Sequence, residues 1–339
     1  MAAVLGSAVK VALYDEVTYK STTSVTKGMS AYYTECSLGA TRNNVQPNTI
    51  STDRSRAKPG AGNVDVSGNL NVEMAPEHVG FYLRHVLGAP VTTGASAPYT
   101  HTFRPKALPV GLIVEKDWTG AGISSKVEQF LGCRVSQATI DIPQEGAATL
   151  SLQVQGANYT IAASAIDGSL GDTGHTGWFA TDCAVLLAGS AVTNVKSVQF
   201  TINNNLDAGR YTLGTSGERI DLPEGFADVT GSITAIVDDT LFSAFIDKAN
   251  ARTDTSLEVT LTFGAGTGAS AGNEKLSLKL DHATIALATP PITSPGGTEV
   301  TFTFTGFRSG STDKGLVAVL LSPLAHTWIA QAPPRPRSL

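Results

Sequence analysis

A strand-like alternation that runs directly into a helical stripe occurs twice in the chain, and this repeat restricts the possible folds more than any other feature. The first copy is Gly62–Gly88, GNVDVSGNLNVEMAPEHVGFYLRHVLG. Val64, Val66, Leu70 and Val72 fall on one face at period two, and Asp65, Ser67, Asn69, Asn71 and Glu73 fall on the other. Pro76 suits a first helical turn, and Glu77 beside it favours the positive end of the helix dipole. Val79, Leu83, Val86 and Leu87 make an apolar stripe, and Gly88 is placed to end it. The second copy is Gly225–Asn250. Asp65-Val66-Ser67-Gly68 recurs as Asp228-Val229-Thr230-Gly231, an offset of 163 residues, and Leu70 falls on Ile233. Ser232 and Thr234 continue the polar face. Asp238-Asp239 then supplies an N-cap before Leu241, Phe242, Phe245 and Ile246. A repeat this long points to internal duplication.

Two further segments repeat in the same order. Leu150, Leu152, Val154 and Gly156 recur as Val300, Phe302, Phe304 and Gly306, and Ala138-Thr139-Ile140 recurs as Ala283-Thr284-Ile285. The 339 residues suit two domains of roughly 150 residues each. Period-two segments dominate, so the chain is expected to be mainly β, with strands at Gly111–Lys116, Gly132–Ile142, Ala147–Gln155, Ser197–Asn203, Ser256–Phe263, Leu276–Leu287 and Thr298–Thr305. Residues 39–62 lack an apolar period and read as a long basic loop, with Arg42, Arg54, Arg56 and Lys58 against Asp53. Asn204–Gly225 reads as the same loop in the second copy, and residues 157–181 as the crossing between domains. The expected boundaries are therefore 1–160, 161–315 and a C-terminal extension 316–339, whose end is Pro-rich.

Several function classes are disfavoured. The N-terminus has no basic n-region, so no signal peptide is expected, and no apolar run approaches the length of a membrane helix. Cys36, Cys133 and Cys183 contain no CxxC and read as reduced, buried residues. Net charge is −5, with residues 1–160 at +1 and 161–339 at −6, which argues against a basic nucleic-acid binder. His78 and His85 lie about 10 Å apart along one helix, too far to share a metal ion. They read as helix-surface or interface residues. Gly264-Ala265-Gly266-Thr267-Gly268 precedes a strand where a dinucleotide site needs a helix. No GxSxG, HExxH or P-loop is present, and Asp238-Asp239 reads better as a cap than as an acid/base pair. Catalytic, metal-binding and cofactor-binding residues are expected to be none.

The run Asp53-Arg54-Ser55-Arg56 to Gly88, with Leu131–Gly156, Ser197–Gly214 and Leu222–Ile236, resembles the tail tube proteins of long non-contractile bacteriophage tails. The resemblance spans about residues 30–306 and leaves Leu316–Leu339 uncovered. It implies two tandem β-sandwich domains, each with a flanking α-helix. It also implies self-assembly into stacked rings whose inner strands close a tube that conducts linear double-stranded DNA. Partners implied are further copies of the chain, a tape measure protein, a tail terminator and tail-tip proteins, with no membrane. The location implied is the virion tail, after synthesis in the host bacterial cytoplasm. In that family an early loop reaches the next ring, which here assigns Arg42, Asp53, Arg54, Arg56 and Lys58 to an inter-ring contact. The polar faces Asp65, Ser67, Asn69, Asn71 and Asp228, Thr230, Ser232, Thr234 become candidates for the lumen wall. If an ancestral ring held six single domains, a fused chain would fill it as a trimer. Another ring-forming part (a terminator, a hub, or a contractile or secretion tube) and a carbohydrate-binding β adhesin remain open at this point.

Overall fold

The computed structural model describes residues 4–50, 54–171, 174–292, 296–310 and 315–325. In the first half, the strands are β1 (Lys10–Asp15), β2 (Tyr33–Cys36), β3 (Gly39–Val45) and β4 (Gly60–Glu73). Helix α1 (Pro76–Leu87) follows, and then β5 (Tyr99–Phe103), β6 (Leu112–Asp117), β7 (Val127–Ile142), β8 (Thr149–Gly156) and β9 (Asn158–Ala162). The second half holds β10 (Cys183–Leu187), β11 (Val195–Asn203), β12 (Asp228–Ile236), β13 (Thr255–Thr262), β14 (Lys275–Ile285), β15 (Glu299–Gly306) and β16 (Leu316–Ser322). The chain is mainly β, and the pairings of these strands are antiparallel.

The two polar-faced strands lie in one continuous sheet. Its order is β2 and β3 together, then β4, β8, β7, β11, β12, β15 and the end of β14. The sequence repeat carries through to the register. Val66 faces Gly156, Gly68 faces Val154, Leu70 faces Leu152 and Val72 faces Leu150. Their counterparts pair identically: Val229 with Gly306, Gly231 with Phe304, Ile233 with Phe302 and Ala235 with Val300. The tripeptide match does not survive. Ala138 and Ile140 pair with Leu152 and Leu150, whereas Ala283 and Ile285 pair with Gly306 and Phe304. By register the counterpart of Ile285 is Val135, so the shared Ala-Thr-Ile is a coincidence of alternating composition.

Both repeat glycines are required by close approach. A Cβ on Gly231 would sit 2.1 Å from the Gln199 carbonyl oxygen and 2.3 Å from Phe304 Cζ; one on Gly68 would sit 2.4 Å from Leu38 Cα. Val66, Leu70, Val72, Ile140, Phe200, Ile233 and Phe302 share one buried core with the outer strands. β7 changes partners along its length. Val127–Leu131 pairs with β9 and the segment from Val127 to Cys133 with β6, while Arg134–Asp141 pairs with β8. Gly132, at φ +62°, takes the bend between these two parts.

Four expectations change. Residues 39–62 hold the two arms of a β-hairpin where a loop is expected: Gly39–Val45 pairs with Gly60–Ser67. Exposed Thr, Arg and Asn on this arm erase the apolar period that reveals a strand elsewhere. Helix α1 keeps its expected ends at Pro76 and Gly88 but is buried nearly all round, with Phe81, Tyr82, His78 and His85 inside as well as the stripe. It packs against β7, β5 and β16, so more than one side faces protein. The second helix has its expected cap, with Leu241 N donating to Asp238 Oδ1 at 2.9 Å, but a π turn at Phe242–Ile246 interrupts it. Leu241 and Phe245 are buried, while Phe242 is 49% exposed. The stretch read as a C-terminal extension begins with β16, which pairs with β14 on one side and β5 on the other. β16 stands to β14 as β9 stands to β7. The Pro-rich end, 332–339, lies outside the described residues.

Candidate assembly surfaces

All eight residues nominated from the polar faces lie on one side of the continuous sheet. Directly paired residues of an antiparallel sheet share a face, and the row Asn71, Ser151, Thr139, Thr201, Thr230, Thr305, Thr284 runs across every strand from β4 to β14. Asn69, Gln153, Gln137, Asn203 and Asp228 make a second row, and Asp141, Gln199, Ser232 and Thr303 a third. Ser67 faces Gln155, and Thr234 faces Thr301, with their hydroxyls 2.9 Å apart in the latter pair. Ser151 Oγ donates to Asn71 Oδ1 at 2.6 Å, and Asn205 Nδ2 donates to Asp228 Oδ2 at 2.7 Å. The charges interspersed here include Asp141, Asp228 and Glu299, the last paired with Lys196. The surface is hydroxyl- and amide-rich and weakly acidic.

Asp65 plays a different part. Its carboxylate is ion-paired with Arg219, which arrives from residues 204–227 of the second half. Arg219 Nη1 also donates to Gly156 O at 2.6 Å, and its Nε donates to Ala208 O at 2.8 Å. Tyr211 Oη donates to Val64 O, and Val64 N donates to Gly217 O. Arg134–Glu224 and Lys20–Glu218 pairs complete the seam. The second long loop is thus laid across the first half. Sequence reading missed Arg219 because a single Arg in a Gly- and Thr-rich loop carries no periodic signal.

Arg42 sits on the β3 arm and donates to Ser216 O at 3.2 Å. Arg54, Arg56 and Lys58 are exposed. Asp53 lies outside the described residues.

The crossing between halves is held by Trp178, which is fully buried and stacks on Phe263 of the second half at 5.5 Å. Nearby, Tyr32 and His78 each stack on His175 and lie tilted against one another, and His78 Nε2 lies 2.9 Å from Gly174 O. The other helix histidine, His85, bonds Asp15 Oδ1 at 2.7 Å, and Arg84 takes Asp15 Oδ2 at 2.5 Å. The buried acidic pair Asp15-Glu16 is therefore spent on structure. Burial pushes against the Asp15 charge, but the His85 bond and the neighbouring cations outweigh it and lower its pKa. Burial dominates for Glu16 and raises it to about 7, despite bonds from the Gly132 and Lys20 amides.

A carboxyl whose pKa is raised on folding binds protons more tightly in the native state, so stability falls as pH rises between the two values. The window for Glu16 runs from 4.5 to about 7. Burial raises Glu115 in the same direction. Denaturant titrations should show stability falling from pH 5 to pH 7.5, by up to about 3 kcal/mol from Glu16. Glu16→Ala should flatten most of that slope; a slope identical to the parent's would remove Glu16 as its source.

The polar sheet face is backed by a single buried core to which both halves contribute. The family model described as "Phage tail tube protein" matches residues 6–306. The chain belongs to that family and is a structural component of the phage tail tube. No curated protein sequence matches it.

Proposed function

We propose that the protein assembles with itself into three-chain rings that stack into the tube of a long non-contractile tail, through which linear double-stranded DNA passes during ejection into the host. The observation that carries this reading is the junction between halves, where Gln137–Ile142 of β7 pairs with Val198–Asn203 of β11. Each half contributes four positions to the sheet, and by register β2 and β3 are the counterparts of β11, and the end of β14 the counterpart of part of β7. The same junction repeated between copies joins β14 of one chain to β2 of the next. Three chains then close roughly 24 strands, well beyond the 16–18 at which barrels leave an aqueous channel. Closure also removes strand edges that would template irregular association.

In this reading the two halves are tandem sandwich domains from a duplication, and β16 extends the second as far as Ser322. The polar face lines the lumen. A neutral-to-acidic, hydroxyl-rich wall offers phosphates little to hold, which lets DNA slide. The protein has no catalytic role. A tape measure protein would occupy the lumen before ejection, and terminator and tail-tip proteins would cap the ends. Averaged electron micrographs of the purified protein test this: rings or tubes with three chains per turn are expected. Six chains per ring refute the trimer, and absence of rings refutes the tube.

The exposed arm beyond Arg42 serves contacts between rings, with Arg54 and Arg56 facing carboxylates of the next ring. Each such exposed pair contributes about 0–1 kcal/mol, so the effect comes from repetition around the ring. Arg54→Ala with Arg56→Ala should leave the folded monomer unchanged and lower tube yield, more so as salt is reduced. Equal yield across a salt series would exclude these residues from stacking.

A further inference from the structure

The two halves end their sheet ladders differently. In the first, Met74 N donates to Ala148 O at 2.8 Å, and the backbone of Trp178 then closes the end: Trp178 N donates to Met74 O and Ala148 N donates to Trp178 O. Phe179 bridges Ala147, and Ala180 N donates to Gly146 O. Met74 and Ala148 are fully buried beneath this clamp. The second half starts in the same way, with Val237 N donating to Thr298 O at 2.9 Å. There, among the described residues, the ladder stops: no further backbone bond joins Val237 O or Thr298 N. Val237 and Thr298 are half-exposed, and Ile236 beside them is 46% exposed.

The clamp has a counterpart elsewhere in the chain. After Phe179, a 3-10 turn at Ala180–Asp182 leads into β10, closed by Asp182 N donating to Phe179 O at 3.0 Å and by Cys183 N donating to Ala180 O. After Leu5, a 3-10 turn at Gly6–Ala8 leads into β1, closed by Ala8 N donating to Leu5 O and Val9 N donating to Gly6 O, both at 3.1 Å. The two turns are 174 residues apart, and β1 pairs with β6 as β10 pairs with β13. Val4 therefore stands where Trp178 stands, and Leu5 where Phe179 stands. These two apolar side chains are 43% and 66% exposed. Beside the turn lies a groove of about 600 Å3 lined by Gly6, Val9, Tyr33, Cys36 and Trp118, along the outer edge of β2. The corresponding edge in the second half, that of β11, is covered by β7.

We infer that the N-terminal segment Val4–Ala8 of one copy closes the open ladder of the preceding copy at Val237 and Thr298, as Gly177–Asp182 closes the first half within the chain. The occupant is a second copy because the clamp seen within the chain leads into the first strand of the next half. For the second half, the next repeat is the first half of another chain. Main-chain bonds supply the contact, as in other strand additions, and Leu5 covers Ile236 and the end of the sheet. This rests on the ring reading above and deepens it: each chain threads Val4–Ala8 into its neighbour.

Cross-linking tests it. Gly297 is the counterpart of Ala147, and a Cβ there meets nothing within 4 Å. Residues facing each other across antiparallel strands have Cα atoms about 4.5–5.5 Å apart, within disulfide range. In the Leu5→Cys, Gly297→Cys double variant, oxidised rings or tubes should run as covalent dimers and trimers on a non-reducing gel, while each single variant matches the parent. Rings without cross-links, or cross-links confined to single chains, overturn the inference and leave the ring reading standing. Absence of rings in the parent protein overturns both. As a second route, Leu5→Asp should keep the monomer's circular dichroism and melting curve but raise the concentration needed for assembly about tenfold; unchanged assembly overturns the inference.

Discussion

Trp178→Ala is expected to cost about 3–5 kcal/mol, the range for removing a fully buried large aromatic. The residue is 0% exposed, in a crossing rich in Gly, Ala, Ser and Asp. Its ring fills the space between the end of the first half and Phe263, stacked at 5.5 Å and 25°. Its backbone bonds to Met74 and Ala148 can persist in the variant, so the loss isolates the side chain. A cavity at this position also removes packing between the halves, so the denaturant transition should broaden as their unfolding separates. Trp178→Phe should recover most of the loss. Equilibrium denaturation of the monomer measures both, and a loss below about 1 kcal/mol for the alanine variant would show that the site collapses without a cavity.

Arg219→Ala should lose about 2–4 kcal/mol, as expected for removing one member of a buried charge-assisted network. The guanidinium is 6% exposed and serves Gly156 O, Ala208 O and the Asp65 carboxylate at once, while lying 5.1 Å over the Tyr211 ring. Asp65 is 47% exposed and can return to water, which keeps the loss below that of a fully buried pair. Arg219→Lys should rescue little, because an ammonium cannot reproduce the planar fork. The change should be local. Hydrogen exchange at residues 207–222 and at Val64, whose amide donates to Gly217 O, should rise several-fold while β12 and β15 stay protected. Uniform exchange across the second half would mean that the loop is part of the global folding unit.

The sequence by itself determined what depends on neighbours a few residues away. Period-two alternation on β4 and β12 placed Val66, Leu70 and Ile233 inward and Ser67, Asn69 and Thr230 outward, because a pleated strand allows no other arrangement once one face is buried. Pro76, Gly88 and Asp238 marked helix ends because capping is a matter of local backbone geometry. The repeat of Asp-Val-Ser-Gly was informative for the same reason: Gly68 and Gly231 are each demanded by neighbouring chain that passes too close for a Cβ.

Tertiary structure decided everything that needs a distant partner. Only the pairing of β7 with β11 makes two polar strand faces into one surface, and no local pattern encodes which edge meets which. The arm β3 reads as a loop because its strand partners supply the order and its side chains face water on both sides. Phe242, read as part of the apolar stripe, lies half outside, because the buried side of the helix runs through Leu241, Phe245 and Ala249. His78 and His85 became buried residues once β16 and the crossing covered sides of α1 that a single amphipathic stripe leaves open. Arg219 and Trp178 hold the halves together from segments without periodicity, since a long-range contact fixes the partner's position and leaves no trace in the spacing of its own neighbours.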